Sequence, residues 1–234
     1  RATTAAPAAA LHRQSNMALV PPPVREPFEI PFPEDLEVRA PGLQALLTKL
    51  GASLMECGMT SSDGAGVLTQ NQCLYLSLAA AVRAHRAEIH DLAGSLRHHI
   101  ETAVRRARPH WAERYLLGLE VGAFAHFLTW GLQAAPQLRN TAVVVYDART
   151  GGCEVFRPPG RNPHTTPVAA LWFSGAHYRW VRWRPPGPSL AQLLTAHAQP
   201  ATGQPRVITV TITAVGHPGP GARGTAGPIE LPSE

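Results

Sequence analysis

The spacing of apolar residues changes once along this chain, near Pro136, and that change confines the fold to a few classes. Before it, from Cys73 onward, Leu74, Leu78 and Val82 recur at helical spacing. Leu92, Leu96, Ile100 and Ala103 mark a second helix, and Leu116, Leu119, Ala123 and Phe127 a third. After Pro136 the period shortens. Thr141 to Tyr146 is a continuous apolar run of strand length, and the turn Thr150-Gly151-Gly152 follows it. Cys153 to Phe156, Val168 to Phe173 and His177 to Trp183 are further strands, with Ser174-Gly175 a tight turn between the last two. Val207 to Thr213 alternates as a strand with one buried face. Helices first and strands later predict an α+β fold, with helices flanking a small mixed or antiparallel sheet.

Outside this middle the composition shifts. The 23 prolines and 20 glycines crowd toward the two ends. Residues 1–33, with Pro21-Pro22-Pro23, read as a Pro/Ala-rich linker, because each proline ring fixes φ and removes an amide donor. Residues 34–66 read as a small N-terminal lobe. In it Leu43, Leu46, Leu47 and Leu50 form a short amphipathic helix between Pro41 and Gly51, and Thr60 to Gly66 a loop. Residues 67–215 then form the main domain, and 216–234 a Gly/Pro-rich tail. Gly219, Gly221 and Gly224 satisfy a G-x-G-x-x-G pattern, but prolines surround them and no helix follows, which excludes a dinucleotide site. The start at Arg1 rather than Met reads as excision from something longer.

The formal charge of +5 permits anionic partners without naming one. Lys49 is the only lysine among 21 basic residues, which argues against a Walker-type nucleotide site. Cys57, Cys73 and Cys153 lie far apart, with no C-x-x-C pair, and imply a reducing, intracellular setting. No apolar run approaches the roughly 18 residues needed to span a bilayer. No Cys/His spacing resembles a structural zinc site, and no metal is expected.

The chemistry concentrates at Cys73. A helix N-terminus lowers a thiol's pKa, and its free amides can receive an oxyanion; Gln70, Asn71 and Gln72 are the natural contributors, through backbone or side chain. A lone cysteine there also reads as a small core residue. His177 shifts the balance, because it follows a turn and opens a strand, from which its imidazole can reach the helix start and take the thiol proton. His85, His90, His98 and His99 lie on or beside arginine-rich helices, and His164 in a Pro-rich loop.

Three blocks together resemble the ovarian-tumour (OTU) family of ubiquitin-cleaving cysteine peptidases, over roughly residues 68–183. They are Asn71-Gln72-Cys73-Leu74-Tyr75; Glu120-Val121 through Phe127 with Val143-Val144-Val145-Tyr146; and Ser174-Gly175-Ala176-His177-Tyr178. The resemblance implies an OTU-like fold, Cys73 as nucleophile, His177 as general base, and Gly175, Ala176 and Tyr178 beside the substrate. Two places after the histidine, where the family commonly has an acid or amide, stands Arg179, which cannot accept a hydrogen bond. In this the chain is most similar to tymovirus and marafivirus polyprotein proteases, which use a Cys-His dyad.

That likeness implies a viral protease that cleaves its replication polyprotein and removes ubiquitin from conjugates. It would act in the host cytoplasm or at replication complexes and need no cofactor. Its partners would be ubiquitinated proteins and its own polyprotein junctions. The competing readings are a non-catalytic ubiquitin-binding or scaffolding domain, favoured by the missing acid, and an RNA-binding module. The second rests on the interleaved aromatics and arginines of His177 to Arg184. Alternation on a strand explains that pattern as well, and nucleic acid is not the expected partner.

Overall fold

The computed structural model describes residues 26–62, 68–82, 88–107, 109, 134–198 and 210–214. The expected helix at Leu116–Phe127, the block from Glu120, residues 1–25 of the linker and the tail 216–234 lie outside them.

The chain is mixed α and β, built on one seven-stranded sheet of mixed direction. Its strands are β1 (Phe28–Ile30), β2 (Ala52–Glu56), β5 (Ala142–Asp147), β6 (Cys153–Arg157), β7 (Val168–Phe173), β8 (Tyr178–Trp183) and β9 (Val210–Ala214). They lie in the order β1-β2-β8-β7-β5-β6-β9. The pairs β5·β7 and β6·β9 are parallel, and the other pairs antiparallel. A separate two-stranded ribbon joins β3 (Ser61–Ser62), which falls within the stretch Thr60 to Gly66 read as loop, to β4 (Leu68–Thr69) just after it. The helices are α1 (Leu36–Arg39), α2 (Leu43–Lys49), α3 (Cys73–Val82), α4 (Ile89–Ala107) and α5 (Leu190–Ala198), with a 3-10 turn at Pro136–Leu138.

Helices cover both faces of the sheet, which explains why β5 is apolar at nearly every position. Val143 and Val145 point toward α3 and α4 and pack with Leu74, Leu78, Leu96 and Ile100. Ala142, Val144 and Tyr146 point the other way, toward Leu36, Leu43, Leu47, Leu190 and Leu193. Two buried layers therefore share one sheet, and Trp172 and Phe173 on β7 face opposite sides of it.

The N-terminal third departs from expectation. Residues 28–30, read as linker, form an edge strand in register with Leu54–Glu56. Residues 52–56, assigned to a separate lobe, form β2, which pairs with β8 inside the main sheet. A three-residue strand beside prolines has too little pattern to be seen from sequence; its stability comes from the partner strand.

Candidate active site

Cys73 begins α3. The carbonyl of Gln72 accepts the amide of Leu76, making Gln72 the cap and leaving the first-turn amides without intrahelical partners. The backbone before it turns sharply, with Asn71 at φ +56, a left-handed conformation that asparagine tolerates better than most residues. The Gln70 carbonyl accepts Arg97 Nη1 from α4 at 2.9 Å, which fixes this turn against the next helix.

One turn along α3, Ser77 shares a helix face with Cys73. Its hydroxyl donates to the carbonyl of Tyr178 at 3.3 Å, tying α3 to the start of β8. That bond brings the residue before Tyr178, His177, to the helix N-terminus. The connection from β7 is a two-residue hairpin in which the Ser174 amide donates to the His177 carbonyl at 3.0 Å. Gly175 sits there at φ +95, and a Cβ would lie 2.9 Å from Arg149 Cδ, so both the backbone and its neighbour call for glycine.

The third member comes from β2. In the β2–β8 pairing Met55 lies opposite Trp180, which brings Glu56 opposite Arg179. Glu56 Oε1 is 2.7 Å from His177 Nε2 and accepts the Gly58 amide at 2.8 Å, while Oε2 accepts Arg179 Nε at 2.9 Å. The expectation of a dyad is thereby corrected: His177 has a carboxylate partner. Arg179 cannot accept a bond from imidazole, but it holds in place a carboxylate that can.

The electrostatics follow from these contacts. Burial alone would raise the Glu56 pKa, but the bonds from His177, Gly58 and Arg179 outweigh it and hold the carboxyl at about 2. Burial alone would lower that of His177, yet its interactions with Cys73 and Glu56 raise it to about 9. With Nε2 donating to Glu56, the neutral ring keeps its lone pair on Nδ1, which is buried and has no hydrogen-bond partner of normal geometry. Nδ1 is thus the nitrogen that can take a proton from the Cys73 thiol. The other two thiols are unsuited to attack, because burial pushes both Cys57 and Cys153 up to about 12.

Not every expected site residue has the expected role. The Gln72 amide donates to the Met59 carbonyl at 2.9 Å, so it is not available to an oxyanion. Gln72 is buried, whereas Gln70 and Asn71 are exposed. Tyr178 is fully buried and stacks on Phe173 with ring centroids 4.7 Å apart, which makes it core rather than a substrate contact. Ala176 is exposed and Gly175 half-buried at the rim. Glu56 escaped sequence reasoning altogether. The available signal was an acidic residue ending a short strand-like run, Ala52 to Glu56, which is too common to single out.

No model of a known protein family matches the chain, and no curated protein sequence matches it. Among the described residues, no helix is long and apolar enough to cross a membrane.

Proposed function

We propose that this chain is a thiol peptidase of the OTU type, acting on isopeptide and peptide bonds at the C-terminus of ubiquitin and at junctions of a viral polyprotein. The observation that supports this best is the convergence of Cys73, His177 and Glu56 from a helix start, a hairpin and a neighbouring strand. His177 Nδ1 takes the thiol proton, the thiolate attacks the scissile carbonyl, and first-turn amides of α3 receive the oxyanion. The imidazolium then gives its proton to the departing amine, leaving the acyl group on Cys73 Sγ for water to release. Glu56 keeps the ring in its reactive tautomer and favours the imidazolium.

The contacts of the His177–Arg184 stripe weigh against an RNA-binding surface. Arg179 is bonded to Glu56 and Arg182 to Glu29, while Val181 is buried and Trp180 and Trp183 pack against the two cores.

A ubiquitin probe bearing a C-terminal electrophile tests the proposal. Covalent attachment at Cys73, located by mass spectrometry, is expected. Tight but non-covalent binding would instead identify a scaffolding module, and no binding would remove ubiquitin as the partner.

Arg179→Ala separates this arrangement from a dyad with an empty acid position. Glu56 would keep its bonds to His177 and Gly58, so kcat on a fluorogenic ubiquitin substrate should fall by about fivefold, the value of one partly exposed ion pair near 1 kcal/mol. Arg179→Asp should lower activity further, because it sets a second carboxylate against Glu56. A rise in activity for Arg179→Asp would show that position 179, and not Glu56, is where the acid belongs.

A further inference from the structure

Arg97 of α4 serves three partners at once. Its Nε donates to Glu101 Oε1 at 2.7 Å, one turn along the same helix, and its Nη1 to the Gln70 carbonyl at 2.9 Å. Its guanidinium carbon lies 5.8 Å from the centre of the Tyr75 ring, and the Tyr75 hydroxyl donates in turn to Glu101 Oε1 at 3.4 Å. Tyr75 is buried in the first turn of α3. A pair with a carboxylate one turn away is ordinary for a helical arginine. The bond to Gln70 is not, because it leaves the helix and grips the backbone 27 residues earlier.

What that bond grips is a strained unit. The Gln70 carbonyl and the Asn71 amide belong to one planar trans peptide, so they point in opposite directions and turn together. Rotating that plane by half a turn changes ψ of Gln70 and φ of Asn71. Asn71 stands at φ +56, in the left-handed region that a residue with a Cβ enters against its preference. A flip of the plane would return φ to negative values and relieve the strain. The next peptide is anchored separately, by the Gln72 amide donating to the Met59 carbonyl at 2.9 Å. Asn71 is thus clamped between two anchored planes, and the anchor on its φ side is Arg97.

The orientation of this plane matters because the chemistry develops negative charge. A flip exchanges an amide for a carbonyl oxygen two residues before Cys73, and so reverses a dipole beside the helix start that receives the oxyanion. Resting on the peptidase reading above, we propose that Arg97 is a positioning residue for catalysis, holding the Gln70–Asn71 peptide against a flip that would spoil oxyanion stabilisation. It acts through the backbone and not on the thiol.

The test uses the full chain, a fluorogenic amide of the ubiquitin C-terminus, and iodoacetamide as a second probe of Cys73, followed by mass spectrometry. Alkylation needs the thiolate but forms no oxyanion, so it reports on the thiol alone. Arg97→Met keeps the aliphatic stem and removes both donated bonds. It should lower kcat by about tenfold, the population that a left-handed residue loses once nothing holds it there. KM and the alkylation rate should change by less than about twofold, since neither depends on a group used only in the transition state. Arg97→Lys, with a point-like donor in place of a fork, should fall between Arg97→Met and the unaltered chain. Adding Asn71→Gly to Arg97→Met should restore kcat to within about threefold of the unaltered chain, because glycine adopts positive φ as readily as negative. Asn71→Ala reaches the same plane without touching α4 and should lower kcat in the same way, because alanine enters the left-handed region less readily than asparagine.

An unchanged kcat in Arg97→Met would overturn the proposal. Parallel losses of turnover and alkylation would overturn it by showing that Arg97 acts on the thiolate or on the fold. So would a double variant no more active than Arg97→Met, since the strain at Asn71 would then have no part in the loss. If the unaltered chain is alkylated at Cys73 yet leaves the amide uncut, the peptidase reading itself fails, and the catalytic role of Arg97 with it.

Discussion

Cys73→Ala should abolish cleavage of every ubiquitin substrate, with kcat reduced by at least about four orders of magnitude. Its fold should remain, because alanine fills nearly the same space at the first position of α3 and is the strongest helix former. Cys57→Ala and Cys153→Ala should retain activity wherever they fold, since thiols held at about 12 are protonated at neutral pH and supply no nucleophile. Cys57 packs in the same buried layer as Cys73, so its variant calls for a circular-dichroism check before its rate is interpreted. Residual turnover in Cys73→Ala that disappears on alkylating Cys57 would overturn the assignment.

Glu56→Gln should show the second-largest effect and give it a distinctive pH signature. In the proposed peptidase His177 must carry a proton to hand to the departing amine, so activity should fall on the alkaline side as His177 loses its proton at about 9. The glutamine keeps a hydrogen-bond acceptor but no charge. Without that charge the His177 pKa falls, though Cys73 still raises it. The alkaline limb of the kcat/KM profile should therefore move to lower pH, with a loss of roughly 10²-fold at neutral pH, within the span expected for general acid–base groups. Arg179→Ala should leave that limb in place, because Arg179 meets Glu56 and not the imidazole. A Glu56→Gln profile that drops without shifting would mean that Glu56 acts on the fold alone.

The same contrast explains what the sequence could and could not disclose. The helix from Cys73 and the strand Val168–Phe173 are legible because each rests on local periodicity, and local periodicity survives in one dimension. The Ser174-Gly175 turn before His177 is legible for the same reason, since positive φ selects glycine. Glu56 is not, because its meaning depends on lying opposite Arg179, 123 residues away. In sequence, Arg179 stands where an acid was expected, and nothing local to it reverses that conclusion. Gln72 and Tyr178 were misread for a related reason. Each sits beside a chemically important residue, but burial and a backbone bond, not sequence adjacency, decide what it can touch.

The place of β2 inside the sheet bears on how such a protein can be dissected. A piece starting at residue 67, where composition puts the domain boundary, would keep Cys73 and His177 and lose Glu56. It would also strip β8 of its neighbour, turning an interior strand with two tryptophans and two arginines into an unprotected edge. Loss of the segment through Glu56 would then do more than shorten the chain. It would remove the carboxylate partner of His177 and create an adhesive surface together, so that loss of the proposed activity and aggregation would arrive in one step.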